Sequence, residues 1–168
     1  KIEYSKEEKK LGTAGGLGLL KNKLEDDFLV MNGDVLTGLD FSEFLEFHKK
    51  TGSIATIALN RRHVDIDFGV VELDENRTLI GYIEKPKIDY LVSMGVYAFN
   101  ESILEYIPSH EYLDIPDLMK RLLSEGEKVN GFIHDGYWLD IGRPDDYIKA
   151  NEDIQKIYRE LGVSIDEA

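Results

Sequence analysis

The segment Phe28-Leu29-Val30-Met31-Asn32-Gly33-Asp34 constrains this chain more than any other. Four apolar residues without polar alternation read as a strand covered on both faces, and Asn-Gly-Asp ends it in a sharp turn. Coverage on both faces requires helices above and below a sheet, and the rest of the sequence supplies them. Phe41, Phe44, Leu45 and His48 share one helical face, with Asp40 or Ser42 as caps and Gly52 as the stop. Residues 54–59 read as a second strand. Residues 69–74 and 78–83 flank Glu75-Asn76-Arg77 as a hairpin that ends at Glu84-Lys85-Pro86. A strand over 91–99, a helical turn over 101–106 and a helix over 115–123 follow, the helix started by Asp114 and Pro116 and stopped by Gly126. Residues 129–134 form a late strand, 138–142 a turn, and Pro144 opens a last helix running to about Leu161. Upstream, Lys1–Ser5 alternates like a strand, residues 6–10 form a solvated turn, and the glycine-rich stretch 12–16 opens a short helix ending in Lys21 and Lys23. Strands alternating with helices place the chain among layered α/β domains with a largely parallel sheet.

Composition narrows the function. The chain has 168 residues, one domain's worth. Thirty-three acidic against twenty basic residues give a net charge of −13. Such a surface repels nucleic-acid phosphates and anionic lipid, so neither is an expected partner. The absence of cysteine excludes thiol catalysis, disulfide scaffolds and Cys-based metal sites. With no apolar run of membrane-spanning length and no leader-like start, a cytoplasmic protein is expected.

Asp34 follows a buried-type strand, where open α/β sheets bind their ligands, so it is placed to hold a metal; an acid there also serves as a turn or cap residue. Asp140, in a tight turn before Pro144, carries the same two readings. Together they could hold one Mg²⁺ and leave positions open for phosphate and water. At Glu84-Lys85-Pro86 a lysine can neutralise a phosphate and a glutamate can accept hydrogen bonds from sugar hydroxyls, though a solvated strand end has the same composition. The glycines at 12–16 lack the spacing of the common phosphate-binding loops. The four histidines are scattered and receive no role, and Trp138 reads as a packing residue.

In order, Leu11-Gly12-Thr13-Ala14-Gly15-Gly16, Asn32-Gly33-Asp34, Phe68-Gly69-Val70-Val71, Glu84-Lys85-Pro86, Met94-Gly95-Val96-Tyr97 and Trp138-Leu139-Asp140-Ile141-Gly142-Arg143-Pro144-Asp145-Asp146-Tyr147 resemble the sugar-1-phosphate nucleotidyltransferases over residues 1 to about 155. The resemblance implies a three-layer, Rossmann-like fold with a mostly parallel mixed sheet. It implies transfer of a nucleotidyl group from a nucleoside triphosphate to a sugar 1-phosphate, with release of pyrophosphate. GTP with mannose- or hexosamine-1-phosphate is the expected pair, and glucose-1-phosphate with dTTP or UTP the alternative. It implies Mg²⁺ held by Asp34 and Asp140, which with Lys85 would be the catalytic residues; Gly12, Thr13 and Ala14 at the nucleotide; Gly69, Glu84, Lys85 and Ser93 at the sugar phosphate. A non-catalytic relative that binds sugar phosphates or nucleotides is the other reading.

The sequence departs from the family at Ser93, where Asn is common, and at Arg143, where many members have Thr. The family's opening GGxGxRL loop has no match here. The expectation is that residues 1–161 are the C-terminal two-thirds of a catalytic domain, inactive or nearly so alone, and that 162–168 is a frayed tail. The missing first strand would pair with residues 28–31, so the chain is expected to form a homodimer through that edge or to self-associate in another way.

Overall fold

In the computed structural model, which describes residues 1–153, the fold is organised by one strand. Along β6 (Lys87–Asn100), Met94, Val96 and Ala98 point to one face and Tyr97 and Phe99 to the other, and all are buried. This is the period-two alternation of a strand that must be covered twice. On the first face, α2 (Phe41–Thr51) packs Phe44 and Leu45 with Met94, Val96, Ala98 and Ala58. On the second, α3 (Ile115–Ser124) and a 3-10 turn, Glu101–Tyr106, bring Leu118, Leu122 and Ile103 against Tyr97 and Phe99. The small α1 (Gly12–Gly15) adds Ala14 to the same cluster. The result is three layers, helix, sheet, helix.

The sheet is mixed, in the order β1 (Asp27–Met31), β6, β3 (Ala55–Asp65), β7 (Val129–Ile133). β3 and β7 are parallel, and β6 runs against both β1 and β3. Three of the four strands therefore share one direction. Two smaller ladders stand apart: β2 (Val35–Thr37) with β8 (Trp138–Asp140), and β4 (Val70–Leu73) with β5 (Leu79–Ile83). α4 (Pro144–Glu152) packs Ala150 on Leu139.

The α2 signals act as read: Asp40 Oδ1 accepts from the Ser42 and Glu43 amides, and Gly52 ends the helix at φ +58°. Other expectations change. Residues 1–5 are exposed and form no strand, because no neighbouring strand receives Ile2 or Tyr4. Residues 138–142 are not only a turn; β8 forms there because β2, unseen in the sequence, pairs with it. β1 buries one face better than the other: Phe28 and Val30 reach the core, whereas Leu29 and Met31 are 38% and 44% exposed. β1 pairs only with β6, so its outer edge is unpaired among the described residues. The expected last helix beyond 153 and the tail 162–168 lie outside the described residues.

One histidine has a structural role. His48, 1% exposed, directs Nδ1 to Thr56 Oγ1 at 2.8 Å, and Ser53 and Thr51 extend the network by hydroxyl contacts of 3.1 and 3.0 Å. Its Nε2 faces Asp27 Oδ1 at 3.5 Å. Burial holds the imidazole below its ordinary value of 6.5; Asp27 opposes that shift and Lys49 adds to it. The unfolded chain therefore binds a proton at a pH where the folded chain does not. Stability should fall as pH drops through about 6.5, by at most about 1.4 kcal/mol per pH unit from this group. Urea midpoints from pH 8 to 5 would check it: His48→Gln should show a shallower loss across that window than the unaltered chain.

Candidate active site

The β2–β8 ladder carries the site's centre. Val35 is in register with Asp140, and the Ile141 amide donates to Asp34 O at 2.8 Å. This short pairing joins residues more than a hundred positions apart and sets both exposed carboxylates at one end of the ladder. Asp140 Oδ1 accepts from the Gly142 amide at 2.9 Å. A Cβ on Gly142 would stand 2.8 Å from Asp34 Oδ2 and 3.1 Å from Asp140 Oδ1. Those two distances put the oxygens at most about 6 Å apart, within the span of two carboxylates sharing one hydrated cation. Glycine at 142 leaves the space between them open. Neither carboxylate has an ion pair among the described residues, so the two like charges lie side by side uncompensated, an arrangement that favours a cation between them. No third His, Cys, Asp or Glu groups with them among the described residues. Two protein oxygens with the remaining positions left to phosphate and water suit Mg²⁺.

Ser93 is tied to the same end of the sheet. Its Oγ lies 3.1 Å from Tyr97 OH and accepts from the Gly95 amide at 3.4 Å. Gly95, at φ +74°, in turn accepts from the Asn32 amide, and a Cβ there would meet Asn32 Nδ2 at 2.8 Å. Glycine at 95 thus lets the Asn32-Gly33-Asp34 turn close onto β6.

Glu84 and Lys85 belong to a second group, at the exit of the β4–β5 ladder. Tyr82 OH donates to Glu84 Oε2 at 2.8 Å, and this bond to a carboxylate raises the phenol's pKa. A Cβ on Gly69 would collide with the Tyr82 hydroxyl and stand 3.1 Å from Glu84 Oε2. Gly69 and Glu84 are therefore neighbours. Lys85 has φ +45°, a left-handed conformation that costs a non-glycine residue about 1–3 kcal/mol and recurs at ligand sites. Pro86, whose carbonyl accepts from the Ile66 amide at 3.0 Å, anchors the bend. No hydrogen bond or ion pair joins this group to Asp34 or Asp140 among the described residues.

The glycine-rich segment forms a third group, and it is already engaged. The Ala14 and Gly15 amides both donate to Leu113 O, at 2.9 and 3.0 Å, and the Thr13 amide donates to Asp114 Oδ1 at 2.9 Å. Thr13 Oγ1 accepts from the Ile115 amide, so Thr13 caps α3. Asp114, placed at the helix start, makes no cap bond of its own; it faces Thr13 and Tyr112, whose hydroxyl lies 2.6 Å away. That hydroxyl first, then the Thr13 amide, holds Asp114 below the ordinary carboxylate value. Three amides that could have faced a phosphate are spent inside the chain.

Sequence reasoning missed Gly142 as the opening between the carboxylates, the Asn32–Gly95 contact and Asp114 as the anchor of the glycine segment. Gly142 lay two residues from Asp140 and Gly95 beside Met94, but a glycine shows neither its φ nor its neighbours in sequence.

The layered fold and the paired carboxylates define an α/β protein with an acidic candidate site, and comparison with known proteins supplies its family. The profile of the nucleotidyl transferase family matches residues 1–157, and the chain belongs to that family. It is 33% identical over 159 residues to the mannose-1-phosphate guanylyltransferase of Mycobacterium tuberculosis, covering 91% of this chain and 44% of that one. It is 36% identical over 160 residues to the bifunctional protein GlmU of Methanococcus maripaludis, covering 90% and 37%. The chain thus spans less than half the length of these relatives. Among solved structures, HddC from Yersinia pseudotuberculosis superposes with a TM-score of 0.63 at 26% identity, over 88% of this chain and 64% of that one.

Gly12 tests the docking of the glycine segment. It has φ +79°, and a Cβ there would lie 2.6 Å from Leu113 O. Gly12→Ala combines left-handed strain with a backbone clash and should cost more than about 2 kcal/mol of stability. Thermal unfolding would read this as a fall of several degrees; an unchanged midpoint would mean the segment does not dock as described.

Proposed function

We propose that the chain carries part of a sugar-1-phosphate nucleotidyltransferase site that uses GTP with mannose- or hexosamine-1-phosphate, with glucose-1-phosphate and dTTP or UTP as the alternative pair. The observation that carries this reading is the open, uncompensated Asp34–Asp140 pair in a chain of this family. The guanylyltransferase relative supports the choice of mannose-1-phosphate. In the reaction an oxygen of the sugar phosphate attacks the α-phosphorus in line. The new P–O bond forms as the bond to the β-phosphate oxygen breaks, and pyrophosphate leaves. Such chemistry depends on alignment and charge neutralisation more than on acid–base catalysis. Asp34 and Asp140 would hold Mg²⁺, which when bound neutralises phosphate charge. Lys85 neutralises the attacking phosphate, Glu84 accepts from sugar hydroxyls, and Gly69 lets backbone approach the sugar. Gly12 brings backbone near the nucleotide, while Thr13 and Ala14 act through the α3 contact that fixes the segment. Ser93 lines the sugar side, two residues from the Gly95 that meets Asn32. The reaction belongs in the cytoplasm, where nucleoside triphosphates are made.

The deciding experiment is pyrophosphate release with GTP, dTTP, UTP and CTP against several sugar 1-phosphates. It should be run on this chain and on the product of its whole reading frame. Asp34→Asn or Asp140→Asn should lower kcat at least a hundredfold, whereas Lys85→Ala should mainly raise KM for the sugar phosphate. Equal kcat/KM for Lys85→Ala and the unaltered protein would remove Lys85 from the site.

We also infer a homodimer closed across the outer edge of β1. Unpaired strand edges with exposed Leu29 and Met31 beside them are templates for another chain, and a two-fold contact covers both copies at once. Light scattering at micromolar concentration should give twice 19.2 kDa. Met31→Lys should shift the species toward monomer.

A further inference from the structure

We propose that Arg62 is a positioning residue for the candidate metal pair: stacked on Trp138, it fixes β8 and so aims the Asp140 carboxylate. The proposal rests on the reading of Asp34 and Asp140 as cation ligands, and goes beyond it by naming what holds one of them in place.

β8 cannot hold itself. It pairs with β2 alone, through Val35–Asp140, Leu36–Leu139 and Thr37–Trp138, and a two-stranded ladder of this length is marginal in water. Its orientation must come from the main sheet, and three contacts supply it. Arg62, on the outer half of β3, lays its guanidinium 4.8 Å from the Trp138 ring centroid and points Nη2 at Trp138 O, 3.5 Å away. Trp138 Nε1 donates to Met94 O on β6 at 2.9 Å. Asn60, buried two residues before Arg62, donates from Nδ2 to His134 O at 2.8 Å and fixes the segment leading into β8. From the other side, Thr37 Oγ1 and the Gly38 amide both donate to Tyr137 O.

Among these, Arg62 contributes the orientation of the ring. Its neighbour Arg61 has a carboxylate partner, Asp135 at 3.5 Å, whereas Arg62 has none among the described residues. Its charge is directed at the indole face and the carbonyl, the pairing a planar guanidinium favours. Asn60, Arg62, Trp138 and Leu139 line a cleft of about 420 Å³, so the indole has room to tilt once the guanidinium is removed. Trp138 and Asp140 are two residues apart on one strand, hence on the same side of it, and a tilt of the first redirects the second. Lysine can keep the cation over the ring but not the flat stack.

Trp138 is the chain's single tryptophan, so its fluorescence reports on this contact directly. The test compares Mn²⁺ binding, by electron paramagnetic resonance, and tryptophan emission in the 168-residue chain and in its Arg62→Ala, Arg62→Met, Arg62→Lys and Asp140→Asn variants. Arg62→Ala should shift the emission to the red and weaken Mn²⁺ binding about tenfold, in line with the loss of one partly buried cation–π contact. Arg62→Met, which keeps an apolar stem over the indole, should weaken binding similarly and guards against a folding defect. Arg62→Lys should recover most of both signals. Asp140→Asn should abolish Mn²⁺ binding and leave the emission in place. Unchanged Mn²⁺ binding in both Arg62→Ala and Arg62→Met, with Asp140→Asn inactive in binding, would overturn the role of Arg62 and leave the metal reading standing. Equal Mn²⁺ binding by Asp140→Asn and the unaltered chain would overturn the metal reading, and the role of Arg62 with it.

Discussion

The rest of the structure depends on the burial of β6 from both sides. Between Met94 and Phe99 every residue is buried, and no strand in that state is stable unless two layers meet on it. α2 is the cover for Met94, Val96 and Ala98; α3 and its neighbours are the cover for Tyr97 and Phe99. β1 and β3 satisfy the strand's two rows of amides and carbonyls. The site follows from this arrangement. The chain leaves β1 at Asn32, which closes onto Gly95 of β6, so Asp34 is placed by the same strand that organises the core.

Much of the fold was legible because its signals are local. Asp40 and Gly52 bound α2 by their own chemistry, and the Glu75-Asn76-Arg77 hairpin declares itself within fifteen residues. What failed was non-local. β2 and β8 are three residues each, and neither has strand character until it meets the other. Lys1–Ser5 alternates in the right way, yet alternation alone forms no strand without a neighbour. The apolar run at 28–31 implied equal cover on both faces, and the structure gives Leu29 and Met31 less than Phe28 and Val30.

Of the candidate site, the convergence of its acids and of Gly69 with Glu84 was legible, since residue type and place after a strand restrict what a carboxylate can do there. Its glycines were not. Gly12, Gly95 and Gly142 act by the absence of a Cβ, and each is explained only by an atom distant in sequence: Leu113 O, Asn32 Nδ2 and Asp34 Oδ2. The glycine segment shows the cost of reading residue type alone. The resemblance puts Gly12, Thr13 and Ala14 at the nucleotide, yet Leu113 and Asp114 already accept from the amides of Thr13, Ala14 and Gly15.

The tie between Thr13 and Asp114 closes a loop of 101 positions, and that between Thr37 and Tyr137 one of 100. Contacts of that separation slow folding, because the chain entropy is lost before the contact can repay it. They also impose an order during synthesis. When Asp34 leaves the ribosome, the residue that faces it has not been made, and the glycine segment waits in the same way for Leu113. Until translation passes Asp140, the nascent chain carries one carboxylate of the candidate pair, and an acidic turn without its partner has no reason to concentrate a cation. The Asp34–Asp140 pair therefore comes into being only once β8 has been made, and a ribosome-bound fragment ending before β8 carries one of the two carboxylates and no ladder to orient it.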